Sequence, residues 1–431
     1  MKKKIIIAVL LISIFSSVLL TGIISANAAA LNNRTSFSVG TDYKKNIFDI
    51  FQINTTGDAE YAFNTYKAMG WLSTVSTAPT KSYMQGKHSN GYYRLESSIL
   101  FFSGHGNNDS MGWNYQGKGG NYAVDITTGT GNYNYSNGTL GIGLGQFRSS
   151  QNDLVVFAGC ETAKGTNNIS RYVVDRGAKT SIGWTVSIGA GSHTNWLKRF
   201  NDKLKTNNST IQAAATHASG YTYVDNGVKN YKIYGDKHQI PLHNFLIAMM
   251  MNNNTTVQEN QYVINSEITI SKNLSTEENM KASINAIISN NISSKFNSYD
   301  YKIEVNGTDE IIYDYVLYVN GVRTDLGYSV ITKDNKILSI YDNTRNLNIG
   351  DTKDAINNSI SQKDISANKL ASMTSTALAK VEKEYADFNS IIENEITYFD
   401  TISNKLYQVT LIKIENSRGQ ISIIEHYDEI K

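Results

Sequence analysis

Two stretches decide how this chain is read: Ile99-Leu100-Phe101-Phe102-Ser103-Gly104-His105-Gly106 and Leu154-Val155-Val156-Phe157-Ala158-Gly159-Cys160-Glu161-Thr162. Each is a run of four or five apolar residues, rich in Val, Ile and Phe, that stops at Gly; this is the pattern of a strand buried on both faces of a parallel sheet. His105 and Cys160 then fall at strand ends. In open α/β sheets chemistry collects at the carboxyl edge of the strands, so these two ends can hold an imidazole and a thiol over one cleft. A free thiol, with a pKa near ~8.5, is mostly protonated at neutral pH, and a neighbouring imidazole with a helix N-terminus favours the thiolate. Cys160 is followed by a small polar turn and an expected helix. Gly106 and Gly159 permit close backbone approach, and the N–H groups of Gly106 and Cys160 are the candidates for an oxyanion hole.

Working outward, residues 34–51 read as a first strand or hairpin. A helix follows over Asp58–Met69, ended by Gly70, and then a short strand over Leu72–Thr77. Residues 79–98 read as loop with at most one helical turn. After Cys160 come a helix over Asn168–Arg176, a buried strand over Lys179–Trp184, and helices over Ser192–Leu204 and Thr210–Ala218. This β, α, β alternation argues for a parallel sheet wrapped by helices. Between the two reactive strands, Asn107–Gln151 is crowded with Gly, Asn and Tyr and reads as surface hairpins and turns, or as loops bordering a cleft. It contains neither a dinucleotide fingerprint nor a phosphate-binding loop.

The paired blocks resemble those of the caspase-like (clan CD) cysteine peptidases, which include caspases, gingipains, clostripain, separase and CHAT domains. The closest local match is to CHAT-type sequences, in Phe102-Ser103-Gly104-His105-Gly106 and Ala158-Gly159-Cys160-Glu161-Thr162. His105 and Cys160 are 55 residues apart, close to the caspase spacing of about 50. Tyr231-Lys232-Ile233-Tyr234-Gly235-Asp236 resembles the last strand and turn of many such domains, so the resemblance spans roughly residues 34–245. It implies that His105 is the general base and Cys160 the nucleophile. The caspase Gln-Ala-Cys block is not matched, and caspase specificity for Asp is not implied.

Composition narrows the class. At 431 residues with a net charge of +2 and 18% charged residues, two or three domains are expected and nothing favours nucleic acid. Lys2-Lys3-Lys4, the apolar run Ile5–Ile24 and Ala26-Asn27-Ala28 read as a secretory signal over residues 1–30, with an uncleaved anchor as the alternative. Cys160 is the single cysteine, so in a secreted protein it has no internal disulfide partner. It is either reactive or an inert filler of a small apolar space. The remaining histidines show no metal-site spacing, and neither cofactor nor metal is expected. Glu161 and Asp109 flank the pair and either could orient His105, or both are solvated carboxylates. Trp184, at a strand end, either walls a substrate pocket or packs in the core.

In the second half, residues 251–270 read as a linker around an Asn-rich run. Ser275-Thr276-Glu277-Glu278 is a capping box opening a helix. Alternating runs follow at Tyr301–Val305, Ile312–Val319 and Leu326–Ser339, with turns at Asn320-Gly321 and Asp334-Asn335. A helix over Ser366–Tyr385 then leads into runs at Ile396–Phe399, Lys405–Ile414 and Gln420–His426. Residues 271–431 are thus an α+β region of two helix-plus-antiparallel-sheet units. The segment Val316–Arg323 with Gly327–Val330 resembles PepSY modules, which implies a propeptide or inhibitor role; a packing or surface-binding domain is the alternative. The expectation for the whole is a secreted cysteine endopeptidase that cleaves a protein or peptide substrate through a thioester. It has a peptidase domain over 31–250, possible intramolecular regulation by the C-terminal region, and no membrane span after signal cleavage. The alternative is an inactive caspase-like fold that serves as an extracellular binding protein.

Overall fold

The computed structural model describes residues 34–43, 53–115, 122–135, 139–206, 209–238, 261–263, 284, 300–334, 336–344, 347, 349–361, 365–385, 388–416 and 419–431. The expected signal segment, most of the linker and the capping-box helix lie outside them. Along the first half run β1 (Thr35–Val39), α1 (Thr56–Ala68), β2 (Leu72–Ser76), α2 (Lys81–Met84), β3 (Ile99–Ser103), β4 (His105–Gly106), β5 (Ser110–Tyr115), β6 (Tyr122–Thr127), β7 (Asn132–Asn134), β8 (Leu140–Gly143) and β9 (Leu154–Ala158). Next come α3 (Ile169–Asp175), β10 (Thr180–Trp184), α4 (Ala190–Leu204), α5 (Ile211–Ser219), β11 (Tyr231–Gly235) and β12 (Gln261–Val263). The C-terminal region contributes β13 (Tyr301–Asn306), β14 (Ile311–Val319), β15 (Val322–Lys333), β16 (Lys336–Asp342), α6 (Ile349–Ser361), α7 (Ala367–Glu384), β17 (Asn389–Asp400), β18 (Lys405–Glu415) and β19 (Ile421–Glu429).

A six-stranded sheet of order β11-β10-β9-β3-β1-β2 forms the centre of the first half, parallel except at β11. Its central strands β3 and β9 are apolar over Ile99–Phe102 and Leu154–Ala158 because both of their faces are covered. Ile99, Phe101, Leu154 and Val156 point into one core, shared with Trp196, Phe200 and Ala214 of α4 and α5. Leu100, Phe102, Val155 and Phe157 point into the other, shared with Ile169 and Val173 of α3. Local signals set the helix ends. The Asn168 side chain caps α3 by accepting from the Arg171 N–H at 2.9 Å, and Gly177, with φ of 105°, ends the turn that follows.

The stretch 107–151 departs from the expectation of surface hairpins. Met111 and Trp113 of β5, Val124 and Ile126 of β6 and Ile142 of β8 are buried in the second core, and the Trp113 indole N–H donates to the Ser103 carbonyl at 2.8 Å. The apolar residues alternate here, so one face of these strands is internal despite the Gly- and Asn-rich composition.

Within each C-terminal unit the strands are antiparallel, as their alternating runs indicate, and the two units join into one sheet through a parallel contact of β15 with β17 at Arg323↔Tyr398 and Thr324↔Phe399. This sheet does not stop at the region's border. β19 pairs with β4 at Ile421↔Gly106, so a sheet of thirteen described strands runs from β12 through to β7. Tyr398, Val409, Leu411, Ile421 and Ile423 complete the first core, while Ala377, Val381, Ile412, Ile414 and Ile424 complete the second. Between the halves, fully buried Lys229 is paired with fully buried Asp314, whose carboxylate also accepts from Ser329 Oγ at 2.6 Å and Asn306 Nδ2 at 3.2 Å. Among the described residues no helix is long and apolar enough to cross a membrane.

Candidate active site

β3 and β9 are neighbours in register from Ile99↔Leu154 to Ser103↔Ala158, so two further residues on each strand bring His105 and Cys160 to the same edge of the sheet. Backbone contact holds these ends together. The Gly104 N–H donates to the Ala158 carbonyl at 3.1 Å. A Cβ on Gly159 would stand 2.9 Å from the Gly104 oxygen and 3.4 Å from Gly106 Cα, and one on Gly106 would stand 2.9 Å from the Cys160 oxygen. Only glycine admits that approach. Beyond Cys160 the chain turns sharply: Glu161 takes φ of 59°, a left-handed conformation that costs a side chain about 1–3 kcal/mol, and its N–H donates to the Val186 carbonyl at 3.1 Å. Thr162 Oγ1 closes the turn on the Phe157 carbonyl at 2.9 Å.

The His105 side chain is fully buried, with the Tyr43 ring centred 4.2 Å and the Phe388 ring 5.6 Å from its own. Its backbone N–H donates to Tyr43 Oη at 3.1 Å, and its Nδ1 contacts Ser422 Oγ of β19. Cys160 is 3% exposed, and its Sγ accepts the Ile188 N–H at 3.3 Å and an N–H from Ile423, the residue after Ser422. Imidazole and thiol therefore sit beneath one dipeptide, Ser422-Ile423. Burial pushes the Cys160 thiol up to about 12, so in this closed arrangement it is protonated at neutral pH. The expected helix behind Cys160 starts only at Ile169, and its first N–H groups are spent on the Asn108 and Thr162 carbonyls, at 2.7 and 3.3 Å.

The other sequence candidates are placed as follows. Trp184 is fully buried, packs edge-on against His193 and Trp196, and donates its indole N–H to the Val228 carbonyl at 2.7 Å; it does not line the cavity beside Cys160. Glu161 pairs with Lys164 at 2.9 Å and accepts from Ser187 Oγ at 3.3 Å. Asp109 lies in a separate groove with Asn168 and Arg171. His88 bridges Thr74 and Ser97, each at 2.7 Å, and burial lowers it to about 4. Among the described residues no cluster of three or more His, Cys, Asp or Glu groups is arranged to hold a metal ion.

Two acids escaped the sequence reading. Asp125 on β6 faces Gly112 on β5, which faces His105 on β4, and the Asp125 carboxylate covers Gly112, with Oδ1 2.5 Å from where a Cβ there would stand. Asp58 lies in the first turn of α1, donated to by Ser103 Oγ at 2.8 Å, and shares with Cys160, Thr194, Ser422 and Ile423 a cavity of about 30 Å³. Burial raises its carboxyl to about 6. No sequence signal marked either one, since each is brought to the site by strand register or helix packing.

Fold and site together define an α/β protein with a thiol and an imidazole at the same carboxyl edge of a parallel sheet. No family model matches the sequence, and no curated protein does. Among solved structures, the complex of the pro- and mature domains of Porphyromonas gingivalis RgpB is similar at 12% identity, over 72% of this chain and 62% of that chain, with a TM-score of 0.30. The chain thus spans less than two thirds of the length of the RgpB chain it matches.

Proposed function

We propose that this chain is an exported cysteine peptidase of the caspase-like type, with residues 1–30 as its signal and the PepSY-like region over 271–431 as a regulatory partner of the catalytic half. The observation that supports the reading is the register of β3 and β9, which brings the strand ends carrying His105 and Cys160 to one sheet edge, where the first contacts Ser422 and the second Ile423. In the reaction, Cys160 Sγ attacks a peptide carbonyl while the N–H groups of Gly106 and Cys160 hold the oxyanion. His105 takes the thiol proton as the bond to sulfur forms and gives it to the leaving amine, which leaves a thioester for water to hydrolyse. Once the Ser422–Ile423 segment over the site is displaced, a peptidyl acyloxymethyl ketone is expected to add once, at Cys160, as read by intact mass and peptide mapping, and not to add to His105→Ala. Equal labelling of wild type and His105→Ala would leave an ordinary thiol and favour the binding-protein reading.

Asp58 supports a preference beside the scissile bond. A buried carboxylate lining the cavity beside the nucleophile suits a cationic substrate side chain, Lys or Arg, once the Ser422–Ile423 wall of that cavity is displaced. Asp58→Asn is expected to lower kcat/KM for such substrates at least tenfold and to leave apolar substrates unchanged. Because the folded-state value of about 6 lies above the ordinary carboxyl value of 3.8, the native state holds the extra proton between those limits. The preference for cations therefore fades as pH falls through about 6. By the same sign, keeping Asp58 ionised at neutral pH costs on the order of 3 kcal/mol. Asp58→Asn is accordingly expected to raise the Tm at pH 7.5 and to leave it unchanged near pH 4.

A further inference from the structure

We infer that residues 420–427 are the resident occupant of this cleft, a strand of the chain itself that blocks the Cys160–His105 pair and is anchored by the Glu425 carboxylate on the N-terminus of α4. The inference rests on the peptidase reading for its importance and on the contacts of β19 for its content. Along one edge β19 pairs with β18 from Ile421↔Glu415 to Glu429↔Tyr407. Its other edge meets both walls of the cleft: it runs antiparallel to β4 at Ile421↔Gly106 and parallel to the segment before α4 at Ile423↔Gly189. This is strand addition to an exposed edge, with the added strand supplied intramolecularly.

Side chains and backbone then engage each part of the site. Ser422 Oγ holds His105 Nδ1. Ile423 turns an N–H toward Cys160 Sγ, so the occupant offers the sulfur a donor where a substrate would offer a carbonyl carbon. Gln420 Nε2 donates to Ser110 Oγ at 3.1 Å, at the start of the strand facing β4.

The anchor lies two residues beyond Ile423. Glu425 Oε1 accepts the Ser192 N–H at 2.8 Å, in the first turn of a 15-residue helix, and Oε2 accepts from Tyr427 Oη at 2.8 Å. Unsatisfied N–H groups and the helix dipole favour a carboxylate there. The approach requires glycine: a Cβ on Gly189 would stand 2.2 Å and one on Gly191 2.8 Å from the Glu425 oxygens. A bound acid and two glycines shaped around it make this a built contact between the last strand and the mouth of the cleft.

The test reads thiol access, which needs no turnover. In the full chain, Cys160 alkylation by iodoacetamide is expected to be at least a hundredfold slower than in the same chain unfolded in urea. Glu425→Lys, and the isosteric Glu425→Gln in case the lysine variant fails to fold, are expected to speed it at least tenfold with an unchanged circular dichroism spectrum. Amide exchange at Ile423 should accelerate in parallel. A wild-type rate equal to that of the unfolded chain, or folded Glu425 variants that react no faster than wild type, would overturn the inference. Faster alkylation without any peptide hydrolysis would uphold the block and remove the peptidase reading instead.

Discussion

His105→Ala is expected to lower kcat/KM for peptide hydrolysis about a thousandfold, measured in a chain whose cleft has been opened by Glu425→Gln. The size follows from the step lost. A positioned imidazole contributes about 10²–10⁴ through proton transfer, and expulsion of an amine from a tetrahedral intermediate requires a proton. The ring is fully buried between Tyr43 and Phe388, so its removal also leaves a void, and stability has to be measured alongside rate. A loss of rate with a retained cooperative transition, accompanied by loss of acyloxymethyl ketone labelling at Cys160, assigns the effect to chemistry. Hydrolysis within threefold of the parent in both His105→Ala and Cys160→Ala would show that this pair is not the catalytic one.

The second large effect concerns stability. Asp314→Asn keeps the shape of the side chain and its neighbours Ser329 and Asn306 but leaves the Lys229 ammonium buried without its counter-charge, at a cost of about 3–5 kcal/mol. The denaturation midpoint in urea should fall accordingly. The pH dependence has a definite sign. Burial already lowers the Lys229 pKa, with Asp314 opposing, and removing Asp314 lowers it further. The native variant then binds fewer protons than the unfolded chain, and its stability rises with pH up to the ordinary lysine range. Lys229→Met combined with Asp314→Leu should recover most of the loss, because two apolar side chains carry no desolvation penalty. An Asp314→Asn midpoint equal to wild type would show that this pair does not join the two halves.

How much of this was legible beforehand differs from element to element. Ile99–Phe102 and Leu154–Phe157 read as strands covered on both faces because a side chain flanked by core on either side of a sheet must be apolar at every position, and that signal is local. The helix over Ala190–Leu204 was legible from Trp196, Phe200 and Leu204 on one face. The alternation in β5 and β6 was also present, in Met111 and Trp113 and again in Val124 and Ile126, but turn-rich neighbours masked it. Helix α6 carried a similar missed signal in Ile349, Ile356 and Ile360, all buried on one side.

By itself the sequence determined the buried central strands, the imidazole and the thiol at their ends and the glycines that let those ends touch, because each depends on residues adjacent along the chain. Tertiary structure alone decided what stands over them. Ser422, Ile423 and Glu425 lie more than 260 positions from Cys160, and Asp58 and Asp125 reach the site from a helix and a strand chosen for other reasons. A strand's own pattern tells which face is buried, but it does not tell which edge the strand will add to. That choice rests on backbone hydrogen bonds, which carry no residue code, and here it places the last strand of the chain across the cleft that the first half builds.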